Sequence, residues 1–217
     1  DIGNPVIEAE FSAENGNVFK QPYDYLSGRA DGSLEGLRIY DFRMENKGRI
    51  VHTGHGVIGF TGDRKIDFAV ETKGARMEDI GALLMPGQPI TGNVDNVLQI
   101  TGSLDDPQLQ GRVHFYEGSY HGMLLTGADG TYSRRDGCLQ LEDFSVASPF
   151  VTMHFHGTMD AEENINFLVK ADDIHLDKVN TRLPYPVSGT ASFSGTLSGT
   201  LSSPVFGGSL EAKELVL

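Results

Sequence analysis

The sequence predicts an all-β protein: an antiparallel sheet with one solvated face, plus one or two short helical turns. Three observations predict it: an internal repeat nearly a hundred residues long, segments in which apolar and polar residues alternate, and turn signals between those segments. The repeat is carried by Gly102, Leu104, Pro107 and Gly111, which recur as Gly199, Leu201, Pro204 and Gly208. Pro89 and Gly92 recur as Pro186 and Gly189 at the same offset of 97 residues. Six identities at one spacing imply a duplicated structural unit. Asn4-Pro5-Val6-Ile7 opens the chain with the same element, since Pro5 stands 102 residues before Pro107. Residues 1–217 therefore read as one continuous structure, with repeats over about 5–106 and 107–203 and the start of a third at 204–217.

Taken in order, the segments from Val18 onward alternate and are punctuated by Asn15-Gly16, Ser27-Gly28, Asp31-Gly32 and Lys47-Gly48, each read as a turn. Leu37 and Ile39 alternate with Arg38 and Tyr40. Ile66, Phe68 and Val70 alternate with Lys65, Asp67, Ala69 and Glu71, which puts the apolar set on one side, because successive strand residues point to opposite faces. Met77, Ile80, Leu83 and Leu84 follow helical spacing and predict a short helix over 77–85 that Pro86 ends. In the second unit Ile174, Leu176, Val179 and Leu183 precede Pro184 in the same way.

The second unit repeats the grammar. Ala128-Asp129-Gly130 answers Ala30-Asp31-Gly32, Asp143-Phe144 answers Asp41-Phe42, and His156-Gly157 answers His55-Gly56. Val151, Met153 and Phe155 alternate with Thr152, His154 and His156, and Ile165, Phe167 and Val169 with Asn164, Asn166 and Lys170. At roughly 12 residues per strand and turn, the chain holds about 18 short strands. Such alternation describes a sheet whose second face is either closed by another sheet, as in a sandwich, or left as an open apolar trough.

Composition bounds the function. The net charge is −13 with a pI near 4.8, which argues against nucleic acid and against an anionic membrane surface, both of which attract a basic face. The 27 glycines mark turns between apolar strands, and the single cysteine, Cys138, forms no internal disulfide. No run approaches the length of a spanning helix, and no charged-then-apolar signal opens the chain. Asp1 and Leu215-Val216-Leu217 fall mid-pattern, so the chain is expected to be a segment of a longer protein whose anchors lie elsewhere.

Gly102-Ser103-Leu104-Asp105-Asp106-Pro107-Gln108-Leu109-Gln110-Gly111, with its copy Gly199-Thr200-Leu201-Ser202-Ser203-Pro204-Val205-Phe206-Gly207-Gly208, resembles the TamB branch of the AsmA-like bacterial proteins. Val187-Ser188-Gly189-Thr190-Ala191-Ser192-Phe193-Ser194-Gly195, which feeds the copy, belongs to the same likeness. The resemblance covers most of the chain as a grammar of glycine, proline and alternating strands. It implies a long curled antiparallel sheet forming an open, apolar-lined groove, a repeating β-groove. It further implies a periplasmic location in a protein anchored at the inner membrane and reaching the outer membrane, phospholipid acyl chains as cargo, and a barrel partner of the TamA or BamA type. The family brings no catalytic residues, so no enzyme activity and no cofactor are expected.

The other motifs have plainer readings beside their sharp ones. Gly54-His55-Gly56-Val57-Ile58-Gly59 matches a dinucleotide fingerprint, but Phe60-Thr61-Gly62-Asp63 opens no helix, so strand and turn are expected. His154-x-His156 and His52-x-x-His55 could begin a zinc site, yet no cysteine or carboxylate stands at ligand spacing; they read as solvent-face histidines with no metal. Asp105-Asp106 and Asp172-Asp173 with Asp177 show neither an EF-hand loop nor a placed carboxylate pair, and turn chemistry accounts for them. No nucleophile elbow is present.

The alternating apolar positions carry the functional expectation. Ile66, Phe68, Val70, Val113, Phe115, Val151, Met153, Phe155, Ile165, Phe167, Val169 and Phe193 are the candidate groove lining. By periodicity alone such stripes are more often simply core; only the resemblance makes them a lining for lipid. A structural or adhesive solenoid or sandwich, and a chaperone that templates strands of outer-membrane or autotransporter proteins, are the alternatives.

Overall fold

The computed structural model describes residues 6–18, 21–78, 89–179 and 187–216. Among them are thirteen strands: β1 (Ile7–Val18), β2 (Gln21–Gly32), β3 (Gly36–Asn46), β4 (Arg49–Gly59), β5 (Ile66–Arg76), β6 (Ile90–Gly102), β7 (Pro107–Tyr120), β8 (Met123–Arg135), β9 (Cys138–Ala147), β10 (Thr152–Met159), β11 (Asn164–His175), β12 (Ser188–Thr200) and β13 (Ser203–Val216). They form one open antiparallel sheet in strict sequence order, not closed into a barrel and with no second sheet beside it among the described residues. A single helical turn, α1 (Leu176–Val179), interrupts the second unit. Met77 and Glu78 are helical; the rest of the expected 77–85 helix, and Leu183 and Pro184, lie outside the described residues.

The strands are fewer and longer than the expected 18, running from 8 to 14 residues. Glycine is the reason. Asn15-Gly16 lies inside β1 and Ser27-Gly28 inside β2; of the early turn signals only Lys47-Gly48 turns the chain, while Asp31-Gly32 closes a strand. The in-strand glycines serve as seats for aromatic rings. A Cβ on Gly16 would meet the Tyr23 ring, and one on Gly28 would meet the Phe11 ring. Gly54-His55-Gly56-Val57-Ile58-Gly59 is likewise strand β4, followed by a bend.

The repeat is written in backbone conformation. Asn15, Glu117 and Glu214 each stand ten residues after Pro5, Pro107 and Pro204, and their φ values are 53°, 54° and 53°. For residues other than glycine that region is sparsely populated, so a threefold recurrence marks one structural position. Gly102 and Gly199 share φ near 90°, at 92° and 87°, and at each a Cβ would crowd the carbonyl oxygen that closes the next turn, Asp106 O at 2.8 Å or Ser203 O at 2.7 Å. Both turns fasten onto the preceding hairpin: the Leu104 N–H donates to Arg64 O at 2.9 Å, and the Leu201 N–H to Glu163 O at 3.1 Å. Gly102 to Pro107 thus ends β6, turns, and begins β7, with Asp105 held by Arg64 at 2.9 Å.

One sequence echo is out of step. Phe42 is paired with Gly28, whereas a Cβ on Gly130 would meet Phe144; the structural counterpart of Gly130 is therefore Gly28, not Gly32. The Ala-Asp-Gly match at 30–32 and 128–130 does not share register. By contrast His55-Gly56 and His156-Gly157 occupy the same place, since Gly56 faces Phe68 and Gly157 faces Phe167.

The chain packs as two compact units, Asp1–Val113 and His114–Leu217. In unit 2, β11 alternates buried and exposed residues along most of its length: Phe167 is 8% exposed and its neighbour Leu168 is 60% exposed. In unit 1, Val94 is 1% exposed and Met44 3%. Burial this deep on one face of a single sheet requires each unit to curl toward that face.

Candidate binding groove

Directly opposed residues of an antiparallel sheet share a face, so register gives the lining row by row across the strands. In unit 1 one row runs Phe11, Gly28, Phe42, Gly54, Val70, Leu98, and the next runs Ala9, Ala30, Ile39, Gly56, Phe68, Ile100. In unit 2 the rows are Leu141, Gly157, Phe167, Leu197, Phe206 and Phe144, Phe155, Val169, Gly195, Gly208. No charged residue interrupts these four rows.

Glycine sets the curl. With no side chain at Gly157, Leu141 from β9 reaches the cluster formed by Ile165, Phe167 and Val169 on β11, together with Phe155, Met159, Phe193 and Leu197. Phe155 and Phe167 meet edge to face, with ring centroids 6.5 Å apart and planes at 88°, a favourable arrangement of ring quadrupoles. Ile39 and Phe68 flank Gly56 in the corresponding place in unit 1. A bulky residue between two others would splay the face; a bare backbone lets it close.

The expected lining residues are all buried or half-buried. Ile66, Phe68 and Val70 stand on β5, Val113 and Phe115 on β7, Met153 and Phe155 on β10, Ile165, Phe167 and Val169 on β11, and Phe193 on β12. Val151 differs: it is buried but precedes β10, in a turn where its carbonyl accepts the Ser148 N–H at 2.8 Å. It closes the end of the strand instead of continuing it.

Several lining residues escape the period-two pattern. Ile39 and Phe42 share a face although three apart, and so do Leu141 and Phe144, because a bulge adds a residue between them. Asp41 accepts the Arg29 N–H at 3.0 Å and pairs with its guanidinium at 3.0 Å, which holds the first bulge. That pairing with Arg29 also lowers the Asp41 carboxyl below its ordinary pKa. Asp143 has φ 47° in the second bulge. Asp172-Asp173 is not a turn either: Asp173, with φ 53°, lies where the β11 register to β12 shifts.

The expectation that His52 faces solvent is overturned. His154, His156 and His55 are exposed, but His52 is buried on the lining face, with Nδ1 2.8 Å from Thr72 Oγ1. Burial pushes its pKa below the ordinary histidine value, because the imidazolium would lose its hydration. Among the described residues no three His, Cys, Asp or Glu side chains cluster as a metal site, and no helix is long and apolar enough to cross a membrane. Compared with protein families, curated proteins and solved structures, the chain matches none.

Proposed function

We propose that this chain is a segment of an envelope-spanning protein that carries phospholipids in a hydrophobic β-groove between the inner and outer membranes, in support of outer-membrane biogenesis. It works in the periplasm, the full-length protein is anchored at the inner membrane, and its partner at the far side is a barrel of the TamA or BamA type. It is a carrier, not an enzyme.

The observation that supports this reading is the uncharged lateral row, which runs across successive strands and so along the groove of each unit. An acyl chain laid on this face, crossing the rows along the strand direction, gains about 0.8 kcal/mol per CH₂ removed from water. Because each successive strand presents a similar apolar set about 4.8 Å further on, a lipid moving along the rows meets no charged step that would impose a desolvation cost. The polar headgroup stays in water at a lip.

The protein purified without detergent from cells is expected to carry phospholipid detectable by native mass spectrometry. Phe68→Arg should reduce that load about tenfold, since a guanidinium on the lining must desolvate wherever a chain covers it. Phe68 is only half-buried, so arginine can reach water there and leave the sheet folded. A wild-type protein free of lipid under these conditions would remove the proposal.

A further inference from the structure

The two units share a scaffold but differ at one row. In unit 2 the row Met153, Ala171, Phe193 is apolar. Its counterpart in unit 1 is His52, Thr72, Asn96, matched through the shared Gly-Phe pairs and through the register shifts that follow Thr72 and Ala171. The unit 1 lining is therefore graded along its strands. It is polar at His52 and Thr72, and apolar from Gly54 and Val70 to Ile58 and Ile66.

At the polar end a recess of about 40 Å³ opens beside the β3–β4 turn, and Lys47, Arg49, Arg76 and His52 line it with no carboxylate among its walls. Acidic neighbours lie just outside: Glu78 pairs with Arg76 at 2.8 Å, Asp95 accepts the N–H of the wall residue Gly74 at 2.7 Å, and Asp24 accepts the Gly48 N–H at 3.3 Å. Among the described residues unit 2 has no such set of three beside its turn, where Lys178 is the nearest cation in sequence to His175. Its β9–β10 turn is Ser148-Pro149-Phe150-Val151, and His175 stands where unit 1 has Arg76. Three cations at one lip of a chain with net charge −13 are therefore not required by the fold. Among the described residues the opposite lip of unit 1 carries Glu35, Asp63, Asp105 and Asp106, with Arg64 paired to Asp105 and Lys65 near Asp63.

We propose that this recess seats the phosphate of a phospholipid headgroup, with the acyl chains running from the His52–Thr72 row toward Ile58 and Ile66. Lys47 and Arg49 bring positive charge from the turn, and Arg76, held by Glu78, adds its guanidinium beside them as a further attraction for phosphate oxygens. Below them, His52 has one ring nitrogen engaged by Thr72 and a second, Nε2, for an ester oxygen of the lipid. The acidic far lip repels the headgroup, so the lipid enters in one orientation. This assignment rests on the lipid-carrying reading.

The test compares a photoactivatable phosphatidylglycerol with the matching diacylglycerol, which lacks only the phosphoglycerol head, on the intact chain and on Lys47→Glu/Arg49→Glu. Both substituted side chains are exposed, so the variant is expected to fold. The wild type should capture phosphatidylglycerol about tenfold better than diacylglycerol; the double variant should lose that preference while capturing diacylglycerol as before. Equal capture of the two lipids by the wild type, or an equal fall for both in the variant, overturns the headgroup site and leaves the groove reading standing. Loss of the preference in millimolar inorganic phosphate assigns the recess to free phosphate and likewise overturns it. Capture of neither lipid removes the groove reading and this assignment together.

Discussion

Gly157→Ala is expected to lower the melting temperature by roughly 6–12 °C, the shift that about 3 kcal/mol produces in a domain of this size. Gly157 has φ 150°, and a Cβ there would collide with the backbone carbonyl oxygen of Asn166 and sit 2.8 Å from Phe167 Cα. These are backbone atoms of the paired strand, so relief requires β10 and β11 to part; overpacking and backbone strain each cost on the order of 1–3 kcal/mol. Gly56, with φ 158° and Phe68 Cα at 2.6 Å from the same imagined atom, should respond alike in unit 1. Gly207→Ala is the control, because the nearest atom to its Cβ would be Thr196 Oγ1 at 3.6 Å. Thermal unfolding followed by circular dichroism reads the difference. Similar melting temperatures for Gly157→Ala and Gly207→Ala would show that bare backbone at Gly157 does not hold the curl.

Phe167→Asp is expected to unfold unit 2. On sequence grounds this substitution looks like a simple block to lipid, one that spares the sheet. The structure places Phe167 at 8% exposure inside the Ile165–Val169 cluster, so removing the ring alone costs about 3–5 kcal/mol. An unpaired carboxylate adds a desolvation penalty or takes up a proton to avoid one. Asn166→Asp, one residue away on the solvent face, should change stability by about 0.5 kcal/mol or less. Chemical denaturation of the two variants separates the cases, and a Phe167→Asp protein as stable as Asn166→Asp would contradict the assignment of inner and outer faces.

Period-two alternation was enough to identify the sheet and its inner face where strands are regular, as at Ile66-Phe68-Val70 and Ile165-Phe167-Val169. It failed at Ile39 and Phe42 and at Leu141 and Phe144, because a bulge reverses the parity of every later residue and leaves no distinct residue type behind. Strand number was misjudged for a related reason. Glycine has two uses in this fold, turning the chain at Lys47-Gly48 and seating a ring at Gly28 or Gly56, and only pairing distinguishes them. His52 was misplaced because a polar residue in an alternating strand reads as outward, while here Thr72 across the ladder satisfies it within the lining. The acidic pair Asp105-Asp106 was read correctly as turn chemistry, and the cationic recess went unseen because Arg76 lies far in sequence from Lys47 and Arg49.

Lipid is proposed to occupy the inner face of the curled sheet and not merely any exposed apolar side chain. Photo-crosslinkers placed singly at Phe68 and Phe155, which line the groove, and at Val57 and Leu168, which are apolar and exposed on the opposite face, test it most directly. Phospholipid adducts are predicted at Phe68 and Phe155 and not at Val57 or Leu168. Because the outer positions are the more accessible, adducts at all four positions alike, or at none, would contradict the account.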